Sequence, residues 1–130
     1  MPLTQIIYIS DPVETMSFLG LMRLLYHSFM NNQADEITGV LIFNDVRFGQ
    51  VIEGPQDRIE ALWTSIQQDS RHKNVQLIGT SVIPERNFSK WSMVFRGSHV
   101  LAEQLPEVGP AVEEIILPDD HPLMLALNRN

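Results

Sequence analysis

The sequence contains no cysteine. That absence removes disulfides, thiolate metal sites, cysteine nucleophiles and covalent cysteine–ligand adducts together, and it fits a reducing compartment. Positive charge is scarce: 9 Lys and Arg stand against 16 Asp and Glu, a formal net charge of −7. A protein that neutralises a phosphate backbone needs a basic surplus, so the balance argues against nucleic acid as the main partner. There is no apolar run of about 18 residues, so no membrane span is expected. The N-terminal Met-Pro-Leu-Thr-Gln has no charged segment leading into an apolar core and does not read as a signal peptide. The expected location is cytoplasmic. Catalytic templates are missing as well. No Gly-rich phosphate loop and no Gly-x-Ser-x-Gly elbow occurs. His27, His72, His99 and His121 show no metal-ligand spacing. The acidic residues are scattered without a pairing that demands acid–base work.

What is present reads as one α+β domain. A chain of 130 residues falls in the usual single-domain range and buries roughly two-thirds of its unfolded surface. Leu3–Ser10 is a near-continuous run of β-branched and aromatic residues, the mark of a central strand covered on both faces; Asp11-Pro12 ends it. Phe18, Leu21, Met22, Leu25 and Phe29 line one helical face, predicting a helix over 17–31 with Ser17 as N-cap. Ile37–Phe43 and Val46–Glu53 read as strands joined across Asn44-Asp45, a hairpin signal weaker than Asn-Gly. Gly54-Pro55 opens a second helix with Pro55 in its first turn, striped by Ile59, Leu62, Trp63 and Ile66 and closed by Asp69-Ser70-Arg71-His72. Val75–Val82 and the short Trp91–Phe95 are further strands, separated by an irregular polar loop over 84–90.

The order βαββαββ predicts a ferredoxin-like sheet with one strand added and two helices on one face. The other face then needs cover. The tail after residue 97 supplies candidates. Its prolines break it into short pieces, and a short helix fits 99–105. Val112, Ile115, Ile116, Leu117, Leu123, Leu125 and Leu127 are too apolar for a disordered segment. They are expected to pack on the bare sheet face or on a partner subunit. The expected division is residues 1–97 as the ligand-binding unit and 98–130 as an extension.

Two polar residues stand out in otherwise apolar strands: Tyr8 in the first and Gln50 in the third. Topology of this kind makes those strands neighbours, so the two side chains face each other under the helices. A buried Gln has four hydrogen-bonding sites to satisfy, and each one left unmade costs about 1–3 kcal/mol. A Tyr–Gln pair completed by water or backbone satisfies them; so does a pair facing an aromatic, amide-rich ligand. The residues alone do not choose between these.

Several segments together resemble the BLUF family, sensors of blue light using flavin adenine dinucleotide. They are Ile7-Tyr8-Ile9-Ser10, Asn31-Asn32, Ile37-Thr38-Gly39-Val40-Leu41, Phe48-Gly49-Gln50-Val51-Ile52-Glu53-Gly54-Pro55, Asp69-Ser70-Arg71-His72 and Arg86-Asn87-Phe88-Ser89-Lys90-Trp91-Ser92-Met93. No segment is specific alone; the set, in order and near the family's spacing over residues 3 to 96, is.

The resemblance implies non-covalent FAD, with FMN or riboflavin as variants, its ring lying between the two helices. By matching, Asn31, Asn32 and Ser28 meet the ring edge, Ile37 and Phe48 are apolar walls, and Arg71 with His72 forms a basic pair near the ribityl and phosphate end. Gln50 is the switching amide between Tyr8 and the flavin N5/C4=O edge. Tyr8 gives up and recovers an electron and a proton, leaving Gln50 rotated, tautomerised or both, and absorption moves to the red. Trp91 and Met93 are the fifth-strand residues that exchange places near the flavin; alternation puts them on one face, a bistable element of the kind switching uses. Plainer roles stand beside each: helix C-cap for Asn32, core for Trp91 and Met93, helix-end dipole chemistry for Arg71-His72. Gly49 departs from the bulky apolar residue usual in relatives. It points away from Gln50, and glycine in a strand marks a bulge or a close approach, so packing against the tail or a partner is expected to differ.

The reading that results is a light sensor, not an enzyme, that forms a homo-oligomer and signals to a separate protein. With no output domain expected after the matched region, the signal has to leave the chain. A light-independent flavin or small-molecule binding module is the alternative, since fold does not fix function. A flavoenzyme would need a substrate cavity and a placed acid, base or nucleophile, and no such set is visible.

Overall fold

The computed structural model describes residues 3–14, 20, 36–43, 47–88 and 117–128, and the backbone of 91–95. Its elements are β1 (Leu3–Pro12), β2 (Thr38–Phe43), β3 (Phe48–Pro55), α1 (Gln56–Gln68), β4 (His72–Ile83), β5 (Trp91–Phe95) and α2 (Pro122–Leu127). The predicted helix over 17–31 lies outside the described residues, Gly20 apart, and so do the stretch 99–105 and Val112, Ile115 and Ile116.

Five strands form one sheet in the order β4-β1-β3-β2-β5. β1 lies between β4 and β3 and pairs antiparallel with both; β2 is antiparallel to β3 and parallel to β5. This is the predicted ferredoxin-like arrangement with its added strand beside β2. The apolar run of β1 is explained by this central place, since both of its faces are covered.

Alternation divides the sheet into two faces. Tyr8, Gln50, Leu41 and Ile52 point to the side covered by α1, whose Ile59 and Ile66 are buried. Leu62 and Trp63 of the predicted stripe are only half-buried. Ile7, Ile9, Val40, Ile42 and Val51 point the other way and form a core with Leu117, Leu123, Met124, Ala126 and Leu127 of the tail. Fully burying a Leu or Ile contributes roughly 1.5–3 kcal/mol, a gain that Leu117, Leu123 and Leu127 each make on this face. Leu125, on the outer side of α2, is 49% exposed and does not join the core.

Local chemistry shifts several predicted boundaries. β4 begins at His72, not Val75, because it continues to pair with the end of β1: Lys73 lies opposite Asp11 and His72 opposite Pro12. β1 accordingly runs on to Pro12. Pro55 is the N-cap of α1 rather than a first-turn residue; its ψ of 140° keeps it extended as the last residue of β3. Gly39 has φ 153° and lies so close to the Val51 carbonyl that a Cβ there would collide with backbone. Only glycine lets β2 approach β3 at that point.

α2 is capped by His121. Its Nδ1 accepts the Leu123 backbone N–H at 3.1 Å, and Pro122 occupies the first helical position, where no N–H is needed.

Candidate functional site

Tyr8 and Gln50 are directly opposite each other on β1 and β3. Both are fully buried. The Tyr8 hydroxyl donates to Gln50 Oε1 at 2.6 Å. Burial pushes the Tyr8 phenol well above its ordinary value, and the nearby Asp69 charge adds to the effect; removing water disfavours the phenolate. Tyr8 therefore holds its proton and presents it to the amide. Its ring meets Phe48 edge-on at 6.1 Å between centroids and the tilted Trp63 ring at 5.2 Å.

The other end of the amide is different. Gln50 Nε2 is buried and has no hydrogen-bond partner among the described residues. An orphaned buried donor costs about 1–3 kcal/mol, and native structures keep few of them. This one points to a missing acceptor on the α1 side of the sheet. A flavin supplies acceptors at its ring edge, so this buried donor fits that group.

Strand register sets a row of residues across this face. Leu77, Tyr8, Gln50, Leu41 and Met93 are successive partners from β4 to β5. Trp91 lies in the neighbouring row, opposite Gly39. Met93 is thus in register with the Tyr8–Gln50 pair, with the buried Leu41 between; the side chains of Trp91 and Met93 lie outside the described residues.

The other predicted site residues divide. Phe48 is fully buried beside Tyr8. Ile37 is half-buried near Gly54, at the end of the same face. Ser28, Asn31 and Asn32 lie outside the described residues. Arg71 grips Asp69 through both Nε (2.9 Å) and Nη2 (2.6 Å), and its remaining nitrogen, Nη1, faces Gly20. The Arg71 hydrogen bond holds the Asp69 carboxylate below its ordinary value despite partial burial.

His72 is placed otherwise than a basic pair with Arg71 would require. It is buried, its ring stacked on Phe48 at 5.6 Å. Nε2 lies 2.6 Å from the Ile66 carbonyl, which only accepts, so Nε2 carries a proton. Nδ1 is 2.8 Å from Ser10 Oγ. Both ring nitrogens are engaged, so His72 ties the end of α1 to β1 and has no free donor for an anion. The cause is β4, which starts at His72 and draws it into the sheet.

Sequence reading missed Leu41, Trp63 and Asp69 as neighbours of the pair. Leu41 and Trp63 read as ordinary core residues, and only strand register and the helix position bring them beside Gln50 and Tyr8. Asp69 lay within a recognised segment but carried no signal of its own.

Comparison with known proteins agrees with this geometry. The family described as "Sensors of blue-light using FAD" matches residues 3–94. The photoactivated adenylate cyclase subunit beta of Euglena gracilis is 33% identical over 101 residues, 77% of this chain and 12% of that one. The blue light- and temperature-regulated antirepressor BluF of Escherichia coli is 30% identical over 91 residues, 70% of this chain and 23% of that one. The chain therefore spans under a quarter of the length of these two relatives. Among solved structures, the dark state of the BLUF protein BlrB superposes with TM-score 0.66 at 26% identity, covering 96% of this chain and 90% of that one. The ground state of BlsA gives TM-score 0.65 at 29% identity, covering 97% and 85%.

Proposed function

The chain belongs to the BLUF family of flavin-binding blue-light sensors, and from that membership we propose that Tyr8 and Gln50 form its light-driven switch. The observation that carries the reading is the Gln50 amide, with Oε1 engaged by Tyr8 and Nε2 buried without a partner. A flavin ring edge on the α1 side gives that nitrogen its acceptor. Ser28, Asn31 and Asn32 are assigned to the ring edge by family matching, Ile37 and Phe48 to the apolar wall, and Arg71 to the phosphate end through the nitrogen that Asp69 leaves free.

When bound, the flavin would supply blue-light absorption and, in its excited state, an electron acceptor for Tyr8. The rest belongs to this chain. A phenol that loses an electron becomes a strong acid, and the Tyr8 proton has a path 2.6 Å long to Gln50 Oε1. The amide relays it, because an amide accepts at oxygen and donates at nitrogen. When Tyr8 regains its electron and proton, Gln50 is left rotated about its terminal torsion, tautomerised, or both. Each outcome changes what Gln50 offers to the ring edge, and hence the colour. Met93 is in register with this pair and Trp91 is in the neighbouring row, so β5 is the element that would carry the change onward. A sheet-and-helix sensor with this pair is read as a signalling module and not as an enzyme. Its signal passes to a separate protein in the cytoplasm, from an assembly of more than one copy. Residues 1–97 are read as the flavin-binding unit and 98–130 as an extension that packs on the sheet or on a partner subunit.

The test is a visible spectrum of the purified full chain before and just after blue illumination. A flavin spectrum that moves slightly to the red and recovers in darkness is expected. Gln50→Leu should keep the flavin and lose the shift. Bound flavin without a reversible shift would leave a dark binding module.

A further inference from the structure

We infer that Glu53 is a positioning residue: it clamps the connection between β4 and β5 across the end of the sheet and so fixes the register of β5 beside the Gln50 strand. The functional part of this inference rests on the photoswitch proposed above.

β4 and β5 are on opposite edges of the sheet, with β1, β3 and β2 between them. The chain from Ile83 to Trp91 must cross four strand spacings, roughly 19 Å sideways. Eight residue steps reach roughly 26–29 Å at full extension, so the crossing uses most of the available length and acts as a strap. Its described part bends at 84–88. Each strand it crosses contributes a polar residue in one row: Gln5 of β1 and Thr38 of β2 both lie opposite Glu53 of β3.

Glu53 is fully buried. A buried carboxylate is tolerated only when its lone pairs are met, and these are met by N–H groups. Oε1 accepts the backbone N–H of Asn87 at 2.8 Å and of Phe88 at 3.0 Å. Oε2 accepts Asn87 Nδ2 and Gln5 Nε2, both at 2.8 Å. Hydrogen bonds to an ionised acceptor are about twice as strong as neutral ones. Three of the four come from the strap. Arg86 adds two more hydrogen bonds from the strap: its Nη1 donates to Thr38 Oγ1 at 2.8 Å and to the Glu53 carbonyl at 3.2 Å. Phe88 then packs on the core under α2.

β5 follows immediately. It is five residues long, and among the described residues it pairs with β2 alone. At the edge of the sheet, β5 has one ladder, to β2, holding its register. The strap adds a second hold, setting Met93 in the Tyr8–Gln50 row and Trp91 one row away. Neither the aromatic nor the amide chemistry of the switch needs Glu53; it acts through β5.

Three variants test this in the flavin-loaded full chain: Glu53→Ala at the centre, Arg86→Ala on the strap, and Glu85→Ala as an exposed strap control. Hydrogen–deuterium exchange in darkness reads the hold on β5, and dark recovery after blue light reads the switch. Glu53→Ala and Arg86→Ala should speed exchange at the β5 amides and quicken dark recovery, each by about tenfold, while β1 amides stay protected and Glu85→Ala matches the parent. If Glu53→Ala does not fold, Arg86→Ala carries both measurements. Unchanged β5 exchange would overturn the clamp. Faster β5 exchange with parental recovery would make the clamp structural only and overturn the positioning role. A parent chain with no reversible shift would instead sink the photoswitch reading, with the exchange result still deciding the clamp.

Discussion

Leu123 occupies the space that a side chain at Gly49 would need. Gly49 is next to Gln50 on β3 but faces α2, and a Cβ built there overlaps Leu123 Cδ1 and lies 3.2 Å from both Ile9 Cγ2 and the Tyr8 carbonyl. Leu123 can yield; the Tyr8 backbone cannot. Gly49→Ala should therefore destabilise by about 1–3 kcal/mol through overpacking, lowering Tm by several degrees in a chain of this size. Leu123→Ala alone should cost about 2–5 kcal/mol by leaving a cavity. The double variant should be more stable than the sum of the two losses by at least about 0.5 kcal/mol, since contacting residues couple. Strict additivity in urea denaturation would mean that the strain at Gly49 lies against Ile9 and Tyr8 instead.

α2 should loosen in mild acid. The His121 cap accepts a hydrogen bond at Nδ1, which only the unprotonated nitrogen can do. Partial burial holds His121 below its ordinary value of 6.5, with Asp120 pulling the other way. A histidine lowered in the folded state stabilises most above its unfolded value, and that stability is lost as pH falls through the folded one. Tm should thus drop between pH 7 and pH 5 by more in the parent than in His121→Asn, which caps without titrating. Parallel Tm curves for the two would show that the cap does not govern acid sensitivity.

Element order and the facing of Tyr8 and Gln50 were legible in the sequence because both follow from periodicity and one topology. Alternation in β1 and β3 puts residues 8 and 50 on the same face wherever the two strands are neighbours. Register was not legible. Nothing in Thr38–Phe43 says that Leu41 rather than Gly39 or Phe43 lies between Gln50 and Met93, since hydrophobic alternation is the same for every even shift. His72 was misplaced for a related reason. Within a polar run it reads as a helix end, while its actual surroundings come from Ser10, 62 residues away in sequence. Glu53 was passed over because its partners at Asn87 and Phe88 belong to a loop with no pattern to read. Gly49 was recognised as an exception, and the tail was one of two candidates for its neighbour; only the packed structure selects Leu123.

Arg71 is the described cation whose assignment to the flavin phosphates can be separated from mere folding. Asp69 takes two of its nitrogens, leaving Nη1 for an anion. Arg71→Ala should weaken FAD binding by about tenfold or more, the scale of one hydrogen bond to a charged group, and leave riboflavin binding nearly unchanged. Equal losses for the two ligands, measured by flavin fluorescence, would assign Arg71 to bracing Asp69 rather than to phosphate.

Tyr8 has two neighbours that bear on electron transfer, and substitution separates them. Tyr8→Phe keeps the ring contacts with Phe48 and Trp63 but removes the donor to Gln50 Oε1. Both ends of the Gln50 amide then lack a protein partner among the described residues, at a cost of about 1–3 kcal/mol in stability. Flavin should remain bound, and the reversible red shift should vanish, because neither the proton nor its path survives. Trp63→Phe leaves the 2.6 Å Tyr8–Gln50 bond in place and exchanges one ring for another against Tyr8. Its red shift should persist, with only the yield or recovery altered. Loss of the shift in Trp63→Phe, with Tyr8 intact and flavin bound, would move the electron donor from Tyr8 to the indole 5.2 Å away.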